Sequence, residues 1–209
     1  MQQKKIKLIW TVLMTLLIIF AQTVIQATTV KPMNLLELAN RAEKIFTAKI
    51  LSIQFSTVKG PSGKQIPCTV YRAKVEHVIK GNEREEITFR FLGSSQMKVQ
   101  GNYGFKLQIP GIPTYRLDDK ILLFLSKESA IGLSAPIGLY QGSFKIYKSF
   151  TGKEMVVNGN NNAGLFKNVK QEEPDRIRQF SASELDVLNT RGGAMQLETF
   201  ISILKKLLK

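Results

Sequence analysis

The stretch LDDKILLFL, residues 117–125, decides the fold class. Asp118 and Asp119 are turn-forming residues, and five apolar residues follow Lys120 without interruption. A short, continuous apolar run beside turn residues is typical of a strand that is buried on both faces. We therefore expect a central strand over residues 121–125, with a turn at the two aspartates before it.

Segments before this run also predict antiparallel strands. Residues 45–56 are rich in Ile, Phe and Thr, while residues 68–80 and 86–92 alternate between apolar and polar side chains. Alternation with a period of two is the pattern of a half-buried strand. A short glycine-containing connection between the last two runs predicts a hairpin. His77 falls in register with Tyr71, so we expect both side chains to face inward.

Glycine and proline set the predicted loops and turns. Residues 57–67 and 93–113 are loops by composition, and such loops are where recognition tends to occur on a rigid sheet. Residues 136–147 predict a further strand. Asn158 and Gly159 predict the turn of a last hairpin, because an Asn-Gly pair favours tight turns.

Helices are predicted at both ends of this strand-rich part. Asn34 and Glu37 have the spacing of a capping box, and apolar residues follow at helical intervals. Residues 167–180 are polar and predict a linker. After a second capping-box spacing at Ser181, residues 196–208 form an amphipathic helical pattern that ends in lysines. This helix is expected to pack on the sheet, and the alternative is that it lies on a membrane surface.

The N-terminus has the layout of a secretory signal peptide. Three lysines precede an uncharged, mostly apolar run over residues 8–25, and the expected cleavage lies between Ala27 and Thr28. We therefore expect export to the periplasm or the medium. The run is at the lower limit of a membrane span, so an uncleaved N-terminal anchor is the alternative, and membrane contact is expected only in that case.

Charge suggests an anionic partner. Removing Lys4, Lys5 and Lys7 from the 30 cationic residues leaves 27 against 16 acidic ones, a net charge of +11. Such a charge favours an acidic polymer or an anionic cell surface. The basic residues are scattered along the chain, which disfavours a nucleic-acid groove.

The residue counts exclude several kinds of chemistry. One Cys cannot form an intrachain disulfide, and one His excludes multi-histidine metal sites. Cys68 is expected to be a small half-buried hydrophobe at the start of a strand, and the alternative is a disulfide between two chains. No phosphate-binding glycine motif is present, so no nucleotide is expected. The carboxylates lack the spacing of a calcium loop, and no metal or cofactor is expected. The catalytic alternative is a hydrolase that uses His77 or the Asp118–Asp119 pair. No nucleophile motif accompanies them, so we expect a protein that is not an enzyme.

Five segments, taken in order, carry a family resemblance. They are AEKIFTAKI (42–50), YRAKVEHVIKG (71–81), ITFRFLG (87–93), IPGIPTYRLDDKILLFL (109–125) and YQGSF (140–144). Together they resemble the exported bacterial domains that are similar to tissue inhibitors of metalloproteases and to netrin-like modules.

The resemblance implies an OB-like antiparallel barrel of five or six strands, with an N-terminal helix and a C-terminal amphipathic helix. The expected organisation is a signal peptide over residues 1–27, the barrel with its leading helix over 28–166, and a polar linker with the last helix over 167–209. The inhibitors act through an N-terminal Cys, and this chain has none before Cys68. Their mechanism is therefore not expected here, and the resemblance implies no settled activity.

These observations lead to an exported, non-enzymatic binding module as the expected function. Its partner would be an exported protein such as a protease, and the alternative is an anionic polymer or surface. Aromatic residues interleaved with basic ones suit the binding surface of an OB-like barrel. The candidate surface residues are Arg72, Lys74, Tyr103, Lys106 and Tyr115.

Overall fold

A computed structural model describes the chain over residues 30–82, 85–94, 98–100, 103–105 and 107–209. The predicted signal segment, including Ala27 and Thr28, lies outside these residues, as does Lys106. Lys31–Lys209 form one compact, β-rich unit.

The strands form one large antiparallel sheet and one small one. They are β1 (Lys44–Lys59), β2 (Gln65–Lys80), β3 (Glu86–Leu92), β4 (Lys98–Gln100), β5 (Tyr103–Phe105), β6 (Lys120–Leu125), β7 (Ser143–Lys148), β8 (Glu154–Asn158) and β9 (Met195–Gln196). The large sheet has the order β3-β2-β1-β6-β7-β8-β9, and β4 pairs with β5. This sheet has seven strands where the sequence predicts five or six. It is open, because its edge strands β3 and β9 are not paired with each other.

Helices precede and follow the strands. They are α1 (Leu35–Arg41), α2 (Val169–Glu172), α3 (Pro174–Ile177), α4 (Ala182–Leu188) and α5 (Leu197–Leu207), with a 3-10 turn at Leu139–Gln141. Both predicted capping boxes are confirmed, since Asn34 with Glu37 caps α1 and Ser181 with Glu184 caps α4. The predicted C-terminal helix is also confirmed.

The central apolar run is buried on both faces, as predicted. Leu122 and Phe124 of β6 face one core, together with α1, α5, β7 and β8. Ile121 and Leu123 face a second core with β1, β2 and β3. We call the side of the sheet with the first core the helix face, and the other side the strap face.

Two predicted loop regions contain strands. Residues 57–67 were expected to be a loop, but β1 and β2 continue as a pair through Thr57–Pro67 and Lys59–Gln65. Pro67 is compatible with this pairing because its nitrogen, which cannot donate a hydrogen bond, faces away from β1. The loop predicted over 93–113 contains the short strands β4 and β5.

The later part of the sheet also differs from the prediction. The strand predicted over 136–147 begins later in the structure, where β7 spans Ser143–Lys148. The hairpin between β7 and β8 turns at residues 149–153, where the Ser149 N–H donates to Lys153 O at 2.8 Å. β8 ends at Asn158, so the predicted Asn158–Gly159 turn does not connect two strands of a hairpin, and the chain leaves the sheet there.

The segment predicted as a polar linker, 167–180, contains the short helices α2 and α3. It buries Val169 and Phe180 in the same core as Phe200 of α5. Polar residues dominate this segment, so its few buried apolar side chains give a weak periodic signal. The C-terminal segment therefore shares a core with the strand-rich part.

Candidate functional site

Residues 109–117, the strap, cross the strap face from β3 towards β7. Pro110 and Pro113 have no backbone N–H and are incompatible with a helix interior or a central strand. Gly111 between them has a φ of +84°, and a Cβ there would lie 2.8 Å from Leu139 Cδ1. These residues hold the strap extended across the sheet without regular secondary structure.

Tyr115 anchors the strap. Its ring centroid lies 5.1 Å from that of Tyr71, in an edge-to-face arrangement, and 6.1 Å from that of Phe91. Its hydroxyl lies 2.8 Å from Ser143 Oγ on β7. Its backbone N–H also donates to the Tyr71 hydroxyl at 3.5 Å. Tyr115 thus ties the strap to both halves of the sheet.

Both tyrosines at this anchor stay neutral. Burial raises the pKa of Tyr115 well above its usual range, although the hydrogen bond with Ser143 lowers it in part. Burial also raises the pKa of Tyr71, against the hydrogen bond from the Tyr115 backbone. Neutral phenols donate and accept hydrogen bonds, so these groups suit recognition of a ligand.

Three adjoining cavities meet beside the strap, and all three are lined in part by Thr114 and Tyr115. The largest, about 560 Å³, lies over β6, β7 and β8. The second, about 330 Å³, lies beside Phe55 and Leu117. The third, about 250 Å³, lies between the strap and the end of β3. The strap therefore divides a continuous row of hollows on one face of the sheet.

The largest cavity has a mixed lining. Tyr140 contributes an aromatic wall, while Arg116 and Lys145 contribute cations. Asp119 also lines it, and its carboxylate accepts a hydrogen bond from the Arg116 backbone N–H at 2.8 Å. Apolar walls with a few polar groups are typical of a ligand-binding hollow.

The predicted surface residues do not converge. Tyr115 lies on the strap face, together with Tyr71 of β2. Arg72 and Lys74 are exposed and alternate with the buried residues Tyr71 and Ala73, so they lie on the other face of β2. Arg72 Nε lies 3.6 Å from a Glu86 carboxylate oxygen. Tyr103 lies in β5, and Lys106 lies outside the described residues.

Carboxylates near the central strand form ion pairs with one lysine of β1 and one lysine of β6. Asp118 lies 2.8 Å from Lys49 Nζ and occupies the predicted turn before β6. Lys120 Nζ lies 2.9 Å from Glu154 and 3.1 Å from Glu76. Hydrogen bonds with Glu154 and Glu76 raise the pKa of Lys120. These pairs neutralise lysines on adjacent strands.

His77 does not face inward, so that prediction is wrong. The pairing of β1 with β2 shifts between Thr47 and Ala48, which face His77 and Val75. Glu76 is passed over at this irregularity, and the alternation that buries Tyr71 therefore does not extend to His77. His77 is exposed and lines a surface hollow with Lys153 and other polar residues.

Cys68 is a free thiol in β2, and burial raises its pKa. It is fully buried rather than half-buried, and it lies inside the strand because β2 already begins at Gln65. Among the described residues, no three His, Cys, Asp or Glu side chains are grouped so that they could hold a metal ion. The same part of the chain contains no helix that is long and apolar enough to cross a membrane.

No protein-family model and no curated protein matches the chain. The case for a site therefore depends on its geometry. Sequence reasoning points to Tyr115 and Tyr140 as aromatic candidates but does not include Ser143 and Lys145 in the site. Alternation along the predicted strand places Ser143 and Lys145 on the same side, but it does not reveal that the strap lies above them.

Proposed function

We propose that the protein is an exported, non-enzymatic binding module that holds its partner on the strap face. The observation that carries this proposal is the row of three cavities that meet at Thr114 and Tyr115. A partner that fills more than one of them must contact the strap. The partner expected from the sequence is another exported protein.

The anchoring of Tyr115 supports a preorganised surface. Aromatic contacts with β2 and β3 and the hydrogen bond to Ser143 fix this ring before any partner arrives. A rigid surface loses less conformational entropy when it binds. Leu117 is 60% exposed and Phe55 is 38% exposed, and both line the same cavity. Exposed apolar side chains that lie together mark contact surfaces.

The finer architecture and the location of the protein are part of this proposal. An OB-like barrel is what the resemblance implies, and binding on the strap face requires only the open sheet. Export rests on the N-terminal sequence. A protease partner and the hydrolase alternative at His77 stay predictions.

Site-specific crosslinking tests the proposal. A photoreactive amino acid replaces Thr114, which is exposed and lines all three cavities, in the full chain expressed in cells that export it. The matched control carries the same amino acid at Ser183, an exposed position in α4. A third variant carries it at Arg72, on the other face of β2.

We expect one defined protein adduct from position 114 and none from position 183. Equal adducts at both positions, or none at position 114, would contradict the proposal. Adducts with an anionic polymer from position 72 alone would support the alternative partner and remove the strap face as the site.

A further inference from the structure

Among the residues that the structure describes, strand β1 has a partner strand on one side only beyond its pairing with β6. β6 pairs with β1 from Lys44 to Lys49, and Ile50 then exchanges backbone hydrogen bonds with Asp118 and Asp119. From Ser52 to Val58, β2 is the one strand of the described chain that pairs with β1. We call this stretch of β1 the open edge.

Neighbouring hydrogen bonds show which backbone groups face outward at the open edge. Val75 N–H and Pro67 O bond in the direction of β3. Because backbone groups alternate in direction along a strand, Tyr71 and Thr69 of β2 also direct theirs towards β3 and away from β1.

The residues of β1 opposite these positions face outward in the same way. Ile53 pairs with Tyr71, Phe55 with Thr69 and Thr57 with Pro67. The N–H and C=O groups of Ile53, Phe55 and Thr57 therefore point away from β2. They have no hydrogen-bond partner within the described part of the chain.

From Ser52 to Val58 the open edge lacks the usual protection against strand pairing, and the irregularity in the pairing of β1 with β2 lies before it, between Ile50 and Ser52. Residues 52–58 (SIQFSTV) contain no charge, no proline and no glycine. Proteins normally shield an exposed edge with charged residues, proline or a bulge, because unpaired backbone groups can pair with another strand. An unshielded edge of this length indicates that a strand pairs with it.

Charge around the open edge selects the chemistry of that strand. The hairpin of β1 and β2 has no carboxylate between Glu43 and Glu76, although it carries six Lys and Arg residues in this interval. Two of the six pair with carboxylates outside the interval, Lys49 with Asp118 and Arg72 with Glu86. Lys59 and Lys64 lie exposed near its tip. Arg116 lines the cavity that also contains Phe55 and Leu117. Cations therefore lie near both ends of an uncharged edge.

We propose that the open edge of β1 binds an acidic, extended polypeptide segment by strand addition. The backbone of the segment bonds to Ile53, Phe55 and Thr57, which gives affinity. Apolar side chains on its strap-face side contact Phe55 and Leu117, and its carboxylates lie near Lys59 and Lys64. This inference rests on the proposed binding function. It names the class of partner, and it places part of that partner along β1 beside the strap.

A peptide-binding assay tests the inference. The probe is a fluorescent octapeptide that alternates Val and Glu, the comparison peptide alternates Val and Lys, and anisotropy is measured with the purified full chain. Thr57→Pro removes one outward N–H and leaves the bonds from β1 to β2. Thr57→Val is the matched control, because it keeps the N–H and the shape of the side chain.

We expect the Glu peptide to bind and the Lys peptide to bind at least about tenfold more weakly. Thr57→Pro should weaken the Glu peptide about tenfold, the effect of one lost hydrogen bond with its neighbours disturbed, and Thr57→Val should not. If Thr57→Pro does not fold, the double variant Lys59→Glu, Lys64→Glu provides a second test of the inference. It changes only exposed tip residues and should reverse the preference between the two peptides.

Equal binding of both peptides, or an unchanged affinity in Thr57→Pro, would overturn the inference. A dimer of the chain that Thr57→Pro dissociates would overturn it too, because a second copy would then occupy the edge. If the crosslinked adducts at position 114 persist in the Thr57→Pro variant, strand addition at β1 is ruled out, while the proposed binding function on the strap face is retained. If the chain with Thr57 unchanged gives no adduct at position 114, the proposed function itself is contradicted.

Discussion

On the helix face, α1 and α5 cover the sheet with interlocking apolar side chains, whereas on the strap face an irregular segment crosses it and leaves hollows beside it. Phe200 of α5 is fully buried, with its ring centroid 5.2 Å from that of Phe144. Tyr115 of the strap is half-buried and borders three cavities. Both faces are thus filled by aromatic residues, but only one of them is closed.

The difference separates stability from binding within one sheet. A close-packed core has few voids and responds strongly to lost volume. A face with existing hollows can accept a ligand without disturbing that core. We infer that the helix face holds the fold and that the strap face presents the site.

The largest effect is expected from truncation on the helix face. Phe200→Ala should lower the free energy of unfolding by about 3–5 kcal/mol, because it leaves a cavity in a closed core. Tyr115→Ala should cost roughly half as much, because its side chain already borders open space. Urea unfolding of the two variants measures both values. A greater loss in Tyr115→Ala would reverse the assignment of the two faces.

The sequence predicts the helix caps and the last helix of the helix face well because their signals are local, whereas it misses the short helices within 167–180. The capping residues Asn34 and Ser181 and the helical spacing of residues 196–208 depend only on near neighbours, and the structure confirms them. The central strand is likewise evident from its continuous apolar run. On the strap face, alternation also places Ile87, Phe89 and Phe91 on the buried side of β3, as predicted.

The strap face is harder to predict because its geometry depends on distant pairs. The hydrogen bond between Tyr115 and Ser143 joins residues 28 positions apart. The exposure of His77 results from an irregularity in the pairing of β1 with β2, which strict alternation does not show. The open edge of β1 exists because β6 is short, and the sequence of β1 does not contain that information.

A smaller effect is expected at the contact between α4 and α5. Glu184 is buried and accepts hydrogen bonds from Lys206 Nζ at 2.6 Å and from Ser202 Oγ at 2.6 Å. Glu184→Gln should lower the free energy of unfolding by about 2 kcal/mol at neutral pH, since it replaces hydrogen bonds to a charged group. Urea unfolding of this variant and of the unmodified chain measures the loss.

The same carboxylate predicts a pH dependence. Burial alone would raise its pKa, but hydrogen bonds from Lys206, Ser202 and Ser181 outweigh burial and lower the pKa to about 2, from an ordinary value of 4.5. Its contribution is therefore present above pH 4.5 and is lost as the pH falls towards 2. The unmodified chain should lose more stability over this interval than Glu184→Gln. If the unmodified chain and Glu184→Gln lose stability in parallel as the pH falls, the ion pair of Glu184 with Lys206 does not stabilise the helix face.

The most direct test of the account is amide hydrogen exchange along β1 in the free protein. If this stretch of β1 is an open edge, the amides of Ile53, Phe55 and Thr57 should exchange rapidly. The amides of Gln54 and Ser56 should be protected by their hydrogen bonds to β2. Residue-resolved NMR on the full chain measures this alternation. Adding the acidic octapeptide should slow the three outward amides and leave α5 unchanged. Uniform protection of residues 53–57 in the free protein would contradict the open edge and, with it, the proposed strand addition at β1.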